Sequence, residues 1–399
     1  MAGLNEVSFL IIGGGIGGLA TALAVADANE SVLVLEQATA FGEIGAGLQL
    51  APNAMAVLDK FGLLEEISDY AVYPQRLVIR DARTAEELTA LSLGKAFRER
   101  YGYPYIVMHR SDLHTVLLNA CRKRENIELK TQKKVIAAEN TDGKVRVTCS
   151  DGEVYLAKAV VGADGLWSKT RKLLADDEPI CSQYVAYRGT IPISEVSAHA
   201  GFDDVIAWIG PEQHLVQYPI RRKELYNQVV VFRSHQYSKE LEQTDAWGTV
   251  EEMEERFKSC CPEVRSAISF IQRHRRWPLF DRNPISNWTT GRITLLGDAA
   301  HPMLQYLAQG ACQALEDAVC LGEKLKTYPS DVEAAFAAYQ QERMGRTAKV
   351  QRNARKFGDI LHATDELAIW LRNQLFAMRT QEDFKPVDWL YGQHVLAQR

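Results

Sequence analysis

The stretch V-S-F-L-I-I-G-G-G-I-G-G-L-A-T-A-L-A-V-A-D-A-N-E-S-V-L-V-L-E, from Val7 to Glu36, reads as one complete βαβ unit. A continuous apolar run (Phe9 to Ile12) breaks into glycines, a helix-period segment follows (Ile16 to Ala26), and a second apolar run (Ser31 to Leu35) ends in an acid. Gly13, Gly15 and Gly18 match Gly-x-Gly-x-x-Gly, and each has a separate task. Gly13 permits the tight turn out of the strand, Gly15 lets backbone approach a pyrophosphate, and Gly18 lets helix pack closely on strand. The helix N-terminus offers free N–H groups and a positive partial charge to a diphosphate. Glu36 stands where a carboxylate accepts hydrogen bonds from a ribose 2′-hydroxyl, and that acid disfavours a 2′-phosphate. The expected dinucleotide is therefore FAD or NAD(H), not NADP(H).

Working outward, the chain has 399 residues, 46% hydrophobic and 24% charged, enough for a large core. A net charge of -5 and a pI near 6.0 imply no strongly basic surface, which argues against nucleic acid as a partner. Seven cysteines, an odd count without Cys-x-x-Cys spacing, suggest neither a disulfide framework nor a zinc site, so no metal is expected. A reducing cytoplasm is the plain inference. No run approaches the roughly 20 apolar residues of a membrane span.

Gly42, Gly45 and Gly47 form a loop too glycine-rich for a regular element, and Pro52-Asn53 opens a helix. Such a loop can carry a planar ligand on bare backbone, or can be a surface crossover. Residues 74 to 107 alternate, as in Arg76 to Arg80 and then Tyr103 to Met108, which predicts strands of a second sheet. A helix follows, capped by Ser111 or Asp112, with Arg110 just before it. Residues 127 to 160 read as hairpin strands turning at Thr141-Asp142-Gly143 and Ser150-Asp151-Gly152. A buried strand then delivers Asp164-Gly165 to a turn.

From 182 to 235 the pattern is β-rich and predicts an antiparallel or mixed sheet separate from the first. In the strand Gln213 to Tyr218, period-two alternation puts His214, Val216 and Tyr218 on one face. That face can floor a pocket for one aromatic ring, or His214 can be an ordinary sheet-edge histidine. The acidic stretch Lys239 to Phe257 reads as a solvated helical face. Ile293 to Leu296 then reads as a buried strand ended by Gly297-Asp298, with Pro302 stiffening a loop before a helix that begins near Gly310. Arg343 to Lys356 carries six basic residues and no acid, which reads as a solvated or inter-subunit face. Leu367, Leu371, Leu375 and Met378 make a helical stripe with Trp370 beside it, expected in core or at a dimer contact.

Three motifs in this order, Gly13 to Gly18 with Glu36, Asp164-Gly165, and Gly297-Asp298, resemble the single-component FAD aromatic hydroxylases of the p-hydroxybenzoate hydroxylase fold. The resemblance implies an α/β fold: a Rossmann-like FAD-binding domain (1–73, 108–178, 280–330) interleaved with a β-sheet substrate domain (74–107, 179–279), then a helical C-terminal region (331–399). It places FAD contacts on Gly13, Gly15, Gly18, Glu36, Gly47, Arg110, Asp164, Asp298 and Gly310. With one dinucleotide fingerprint present, NADH visits transiently as co-substrate. The segments A-Y-R-G-T, G-P-x-x-H-x-x-Q-Y-P, G-D-A-A-H-P-x-L-Q-Y-L-A and D-W-L-Y-G look like the 3-hydroxybenzoate 6-hydroxylase branch. Salicylate 1-hydroxylases and 6-hydroxynicotinate 3-monooxygenases are the neighbouring alternatives, and an FAD-binding reductase or sensor the alternative of a different class. The resemblance makes His214 the expected base toward a phenol, with Gln305 as second partner of the hydroxyl and Tyr218 beside them. Tyr105, Val216 and Pro302 are expected to shape the pocket for a small aromatic acid, with dioxygen as the other substrate. A homodimer is expected on the same ground.

Overall fold

A computed structural model describes residues 5–42, 46–196, 201–392 and 395–396. Gly45 of the expected glycine loop lies outside these residues.

The Val7 to Glu36 unit forms as read. Asn5–Ile12 pairs in parallel with Val32–Leu35 on one side and Val154–Gly162 on the other. Ile127–Lys130 and Ile293–Leu295 extend the parallel sheet outward. Phe9 to Ile12 and Val32 to Leu35 are buried throughout, which is why they are unbroken apolar runs rather than alternating ones. The expected hairpin turns are present, with Gly143 and Gly152 at positive φ. The helix Ile16–Ala26 covers this sheet, and the helix Gly310–Thr327 packs on it so closely that a Cβ at Gly322 would stand 2.8 Å from the Ala24 carbonyl.

The second sheet has seven strands, in the order 277–281, 180–192, 225–233, 213–220, 204–210, 76–81, 87–92. All its neighbours run antiparallel except 204–210 with 76–81, so it is mixed. Its far face carries a core of its own, including Trp208, Leu215, Phe232, Trp247 and Phe257. The acidic stretch before that core is helical only over Val250–Phe257, and Glu252 turns inward to accept from Ser234 and two backbone N–H groups.

Three expectations need correction. The segment Ile106–His109 does not join the second sheet; it pairs with Gly47–Leu50 in a two-stranded ribbon. The helix Arg110–Arg122 takes in the expected caps Ser111 and Asp112 and is capped instead by His109, two residues before Ser111, whose ring accepts from the Ser111 N–H. Asp112 instead takes a bidentate pair from Arg221, in the turn after the strand 213–220.

The largest correction is the basic run, which lies on the 30-residue helix Val332–Leu361. Arg343 is fully buried and donates to Glu316 and Asp317 of the preceding helix, and Arg346 also reaches Glu316. Arg355 pairs with Asp281. The acids that balance these three arginines sit on other elements, while Lys349, Arg352 and Lys356 of the same run are exposed, so half of the run is the solvated face expected and half is an internal network. Leu367, Trp370, Leu371, Leu375 and Met378, by contrast, are exposed on the chain taken singly, so they are not core.

Candidate active site

A cavity of about 1330 Å³ lies between the two sheets. Gly13, Gly15, Glu36, Asp164 and Asp298 line it from the parallel sheet, and His214, Val216 and Tyr218 from the other. The loop Met303 to Gly310 closes one side.

At the dinucleotide end the glycines are compelled by contact. Gly13 has φ +108°, and a Cβ there would stand 2.4 Å from the Ala163 carbonyl; one at Gly18 would stand 2.0 Å from the Gly13 carbonyl. Gly18 does not face the cavity. It sets the helix against the strand. The helix start at Gly15 has no side-chain cap and no acid in its first turn, and the start at Gly310 is likewise uncapped. Both point unsatisfied N–H groups at the cavity. Glu36 accepts from the Gly14 and Ala38 N–H groups, which fixes its carboxylate at the cavity rim. Two open helix ends, a glycine cradle and a fixed carboxylate suit a dinucleotide such as FAD.

Asp164 lines the cavity, yet its carboxylate is engaged within its own turn, accepting from Ser168 Oγ (2.5 Å) and from Lys169 and Thr170 N–H groups. Arg110 and Asp298 also line the cavity. Gly47 joins the two ends: its N–H donates to Asn227 Oδ1 (2.7 Å), and a Cβ there would collide with Tyr218 and Asn227 at 2.5–2.6 Å. His114 carries no sequence signal that marks it. It is buried and its Nε2 pairs with the Gly14 carbonyl at 2.8 Å, bracing the glycine loop.

At the other end, alternation along Gln213–Ile220 holds. His214, Val216 and Tyr218 face the cavity, whereas Leu215 joins the far core and Gln217 bonds Trp208 and Gln228. His214 is 3% exposed, and burial lowers its pKa to about 3, so it is neutral near pH 7. Its Nδ1 lies 2.7 Å from Nε2 of His362. Tyr105 and Tyr218 are both buried, and burial raises both hydroxyls above their ordinary value. Tyr105 donates to Gln49 Oε1 at 2.7 Å.

Gln305 lines the cavity from the turn Gln305–Leu307. Pro302 does not line it. Pro302 is buried behind that loop, its carbonyl held by Gln351 Nε2 at 3.0 Å, and Met303 to Gly310 supply the wall expected of it. Beneath the loop, His301 Nε2 meets Asp317 Oδ2 at 2.5 Å. Burial works against the Asp317 charge, but His301 and Arg343 override it and hold the carboxyl at about 2.

Arg188 was also missed, although it belongs to the A-Y-R-G-T segment. It sits in register with Val229 and, through it, Val216, so all three face the cavity. Its Nε is buried and finds no hydrogen-bond partner among the described residues. Burial first, and Arg110 next, lower its pKa, and the guanidinium lies 5.3 Å from the Trp277 ring centre. An arginine in this state is a ready partner for an anion.

Comparison with known proteins agrees with this geometry. The family model described as FAD binding domain matches residues 6–354. The 3-hydroxybenzoate 6-hydroxylase of Polaromonas naphthalenivorans is 40% identical, covering 98% of this chain and 97% of that one. That of Klebsiella oxytoca is 39% identical, covering 96% of each. Among solved structures, Klebsiella pneumoniae HpxO complexed with FAD and uric acid superposes with a TM-score of 0.81 at 25% identity, covering 94% of this chain and 93% of that one. A salicylate hydroxylase substrate complex shares the fold, with a TM-score of 0.78 at 23% identity over 98% of this chain and 96% of that one. With a dinucleotide cradle and the His214, Val216 and Tyr218 face sharing one cavity, and near-full-length relatives of one kind, this chain belongs to the FAD binding domain family, as an FAD-dependent aromatic monooxygenase.

Proposed function

We propose that the protein hydroxylates 3-hydroxybenzoate at carbon 6, para to its hydroxyl, giving 2,5-dihydroxybenzoate (gentisate) at the expense of NADH and dioxygen. The observation that carries this reading is a neutral, desolvated histidine, His214, in the wall of the same cavity that holds the dinucleotide cradle. The names of the full-length relatives support the same substrate.

FAD would be held between the uncapped helix starts, along Gly13, Gly15, Glu36, Gly47, Arg110, Asp164, Asp298 and Gly310, and when bound would carry electrons from NADH to dioxygen and pass one of the dioxygen atoms to the ring. The remaining work belongs to side chains. A phenol of pKa about 10 is mostly protonated at neutral pH, and its ring carbon is a weaker nucleophile than the phenolate's. His214 accepts the hydroxyl proton as the ring reacts, a general-base contribution of roughly 10²- to 10⁴-fold. Gln305 is the second partner of that hydroxyl. Tyr105, Tyr218 and Val216 pack the ring, and Arg188 is the cation on offer to the carboxylate. The apolar wall excludes water that would otherwise divert the reaction to peroxide.

The test is NADH consumption and product identity with purified yellow protein. Gentisate should form in proportion to NADH with 3-hydroxybenzoate, and salicylate and 6-hydroxynicotinate should stimulate far less. Preference for either of those, or stimulation by none, overturns the assignment. The same reading includes a cytoplasmic homodimer, supported by the exposed stripe on the helix Glu366–Ala377. No helix among the described residues is long and apolar enough to cross a membrane.

A further inference from the structure

His214 is backed by a second imidazole that does not itself line the cavity. His362 ends the long helix, its N–H bonded to the Gly358 carbonyl at 3.0 Å and its own carbonyl accepting from Glu212 N–H at 3.1 Å. Glu212 directly precedes the strand that carries His214. The two histidines are therefore anchored to one another through backbone as well as through their rings. The ring centres are 4.9 Å apart with planes 22° from parallel, while the facing nitrogens are 2.7 Å apart. The centre-to-centre distance nearly reaches its upper limit, that nitrogen gap plus two ring radii, so the rings meet edge to edge, in line. This is a hydrogen bond, not a face-to-face stack. The face of His362 is used by Tyr184 instead, at 4.7 Å and 16°, and Tyr306 packs edge-on against both imidazoles.

A hydrogen bond between two neutral imidazoles needs one proton on the shared axis. If it sits on His214 Nδ1, then His214 Nε2 is bare and can accept; if it sits on His362 Nε2, then His214 Nε2 carries a hydrogen and cannot. The first arrangement is the one a base requires. We infer that His362 is a positioning residue that holds His214 in the base-competent tautomer and receives the proton His214 displaces, making a two-imidazole relay. The inference rests on the reading of His214 as the base toward a phenol.

The step balances without any other reactant. The substrate O–H bond breaks as a hydrogen joins His214 Nε2; the His214 Nδ1–H bond breaks as a hydrogen joins His362 Nε2. His362 becomes the imidazolium, and His214 stays neutral beside the ring. The ring then regains aromaticity as the hydroxylated carbon loses its hydrogen as a proton to solvent, and the proton held on His362 returns along the same path to the ring oxygen. The surroundings favour a brief stay. Burial, His214 and Arg372 lower the His362 pKa to about 2, and Arg372, from the Glu366–Ala377 helix, donates to the Ile360 and Leu361 carbonyls. Among the described residues, Tyr184 and Tyr306 are the titratable rings packed on the pair; Glu212 and Asp359 raise the Tyr184 hydroxyl, Arg233 and Arg256 oppose them, and Asp359 and Asp281 raise that of Tyr306.

Two variants separate the two roles. His362→Gln can still accept from His214 Nδ1 but cannot carry a second proton, whereas His362→Leu can do neither. With 3-hydroxybenzoate bound to the holoenzyme, kcat for gentisate should fall about tenfold or more in His362→Leu, while the dissociation constant of the acid moves less than about twofold. His362→Gln should fall less, and the curved solvent-isotope proton inventory of the wild type should become linear. Nitrogen NMR of the histidine-labelled holoenzyme, without substrate, should show His214 protonated at Nδ1 in the wild type and in His362→Gln, with that preference lost in His362→Leu. Wild-type rates and a linear inventory throughout, or an Nε2-protonated His214 in the wild type, overturn the relay. If the wild type makes no gentisate, the functional reading fails by itself, and the NMR still decides whether His362 sets the tautomer.

Discussion

His214 is the residue on which the chemistry turns, and its burial makes the expected consequences specific. His214→Ala should keep its yellow flavin but lose about 10²-fold or more in gentisate formation, with NADH consumption diverted to peroxide, read by oxygen uptake with and without catalase. The same burial predicts a pH effect on stability. The ordinary histidine value of 6.5 falls in the folded chain to about 3 for His214 and about 2 for His362. Below pH 6.5 the unfolded chain therefore binds protons that the folded chain refuses. Stability is full above that pH and is lost as pH falls toward 3, each histidine contributing a slope of up to ~1.4 kcal/mol per pH unit. Urea unfolding of the holoenzyme between pH 7 and 4 should give a shallower slope for His362→Leu than for the wild type. At the glycine cradle, Gly18→Ala forces a Cβ to within 2.0 Å of the Gly13 carbonyl, so helix and strand must separate. That variant should emerge pale and bind FAD at least tenfold more weakly, measured by flavin fluorescence.

At the scale of elements, the helix Val332–Leu361 is held to the helix Gly310–Thr327 by Arg343, whose guanidinium bridges Glu316 and Asp317 with all three side chains fully buried. Arg343→Met leaves two buried carboxylates short of a partner and should cost about 3–5 kcal/mol in unfolding free energy. It should also loosen the loop after Gly297, because Asp317 holds both the Gly297 N–H and His301. The contrast with the first βαβ unit shows what a sequence discloses. There the strand, turn, helix and acid lie within 30 residues, and each position is constrained by its neighbours along the chain. The face of Gln213–Ile220 was legible for the same reason, since a period of two is local. His362 was not, because its partner lies 148 residues away and nothing beside it in the chain marks the meeting. Arg343 was misread for the same cause, and Arg188 was passed over because its meaning depends on strands not yet paired.

Across the whole molecule, the cavity exists because a nucleotide-type parallel sheet and a mixed sheet face each other with a two-stranded ribbon between them. The stripe on Glu366–Ala377 is left outside this arrangement, with Leu375 64% and Met378 81% exposed. If that face closes the proposed homodimer, the double variant Leu371→Glu and Leu375→Glu should show a monomeric mass by light scattering where the wild type shows twice that. Gly47 carries a different kind of consequence. Its amide is fastened to Asn227, and its missing side chain leaves room for Tyr218, so the strip that would lie along the flavin is also part of the wall that would grip the aromatic acid. Neither occupant can settle without adjusting a shared seam, and reciprocity then follows from thermodynamics: whatever factor the cofactor lends to capture of the acid, the acid must lend back to retention of the cofactor. Titrating each in the presence and absence of the other should return one number twice.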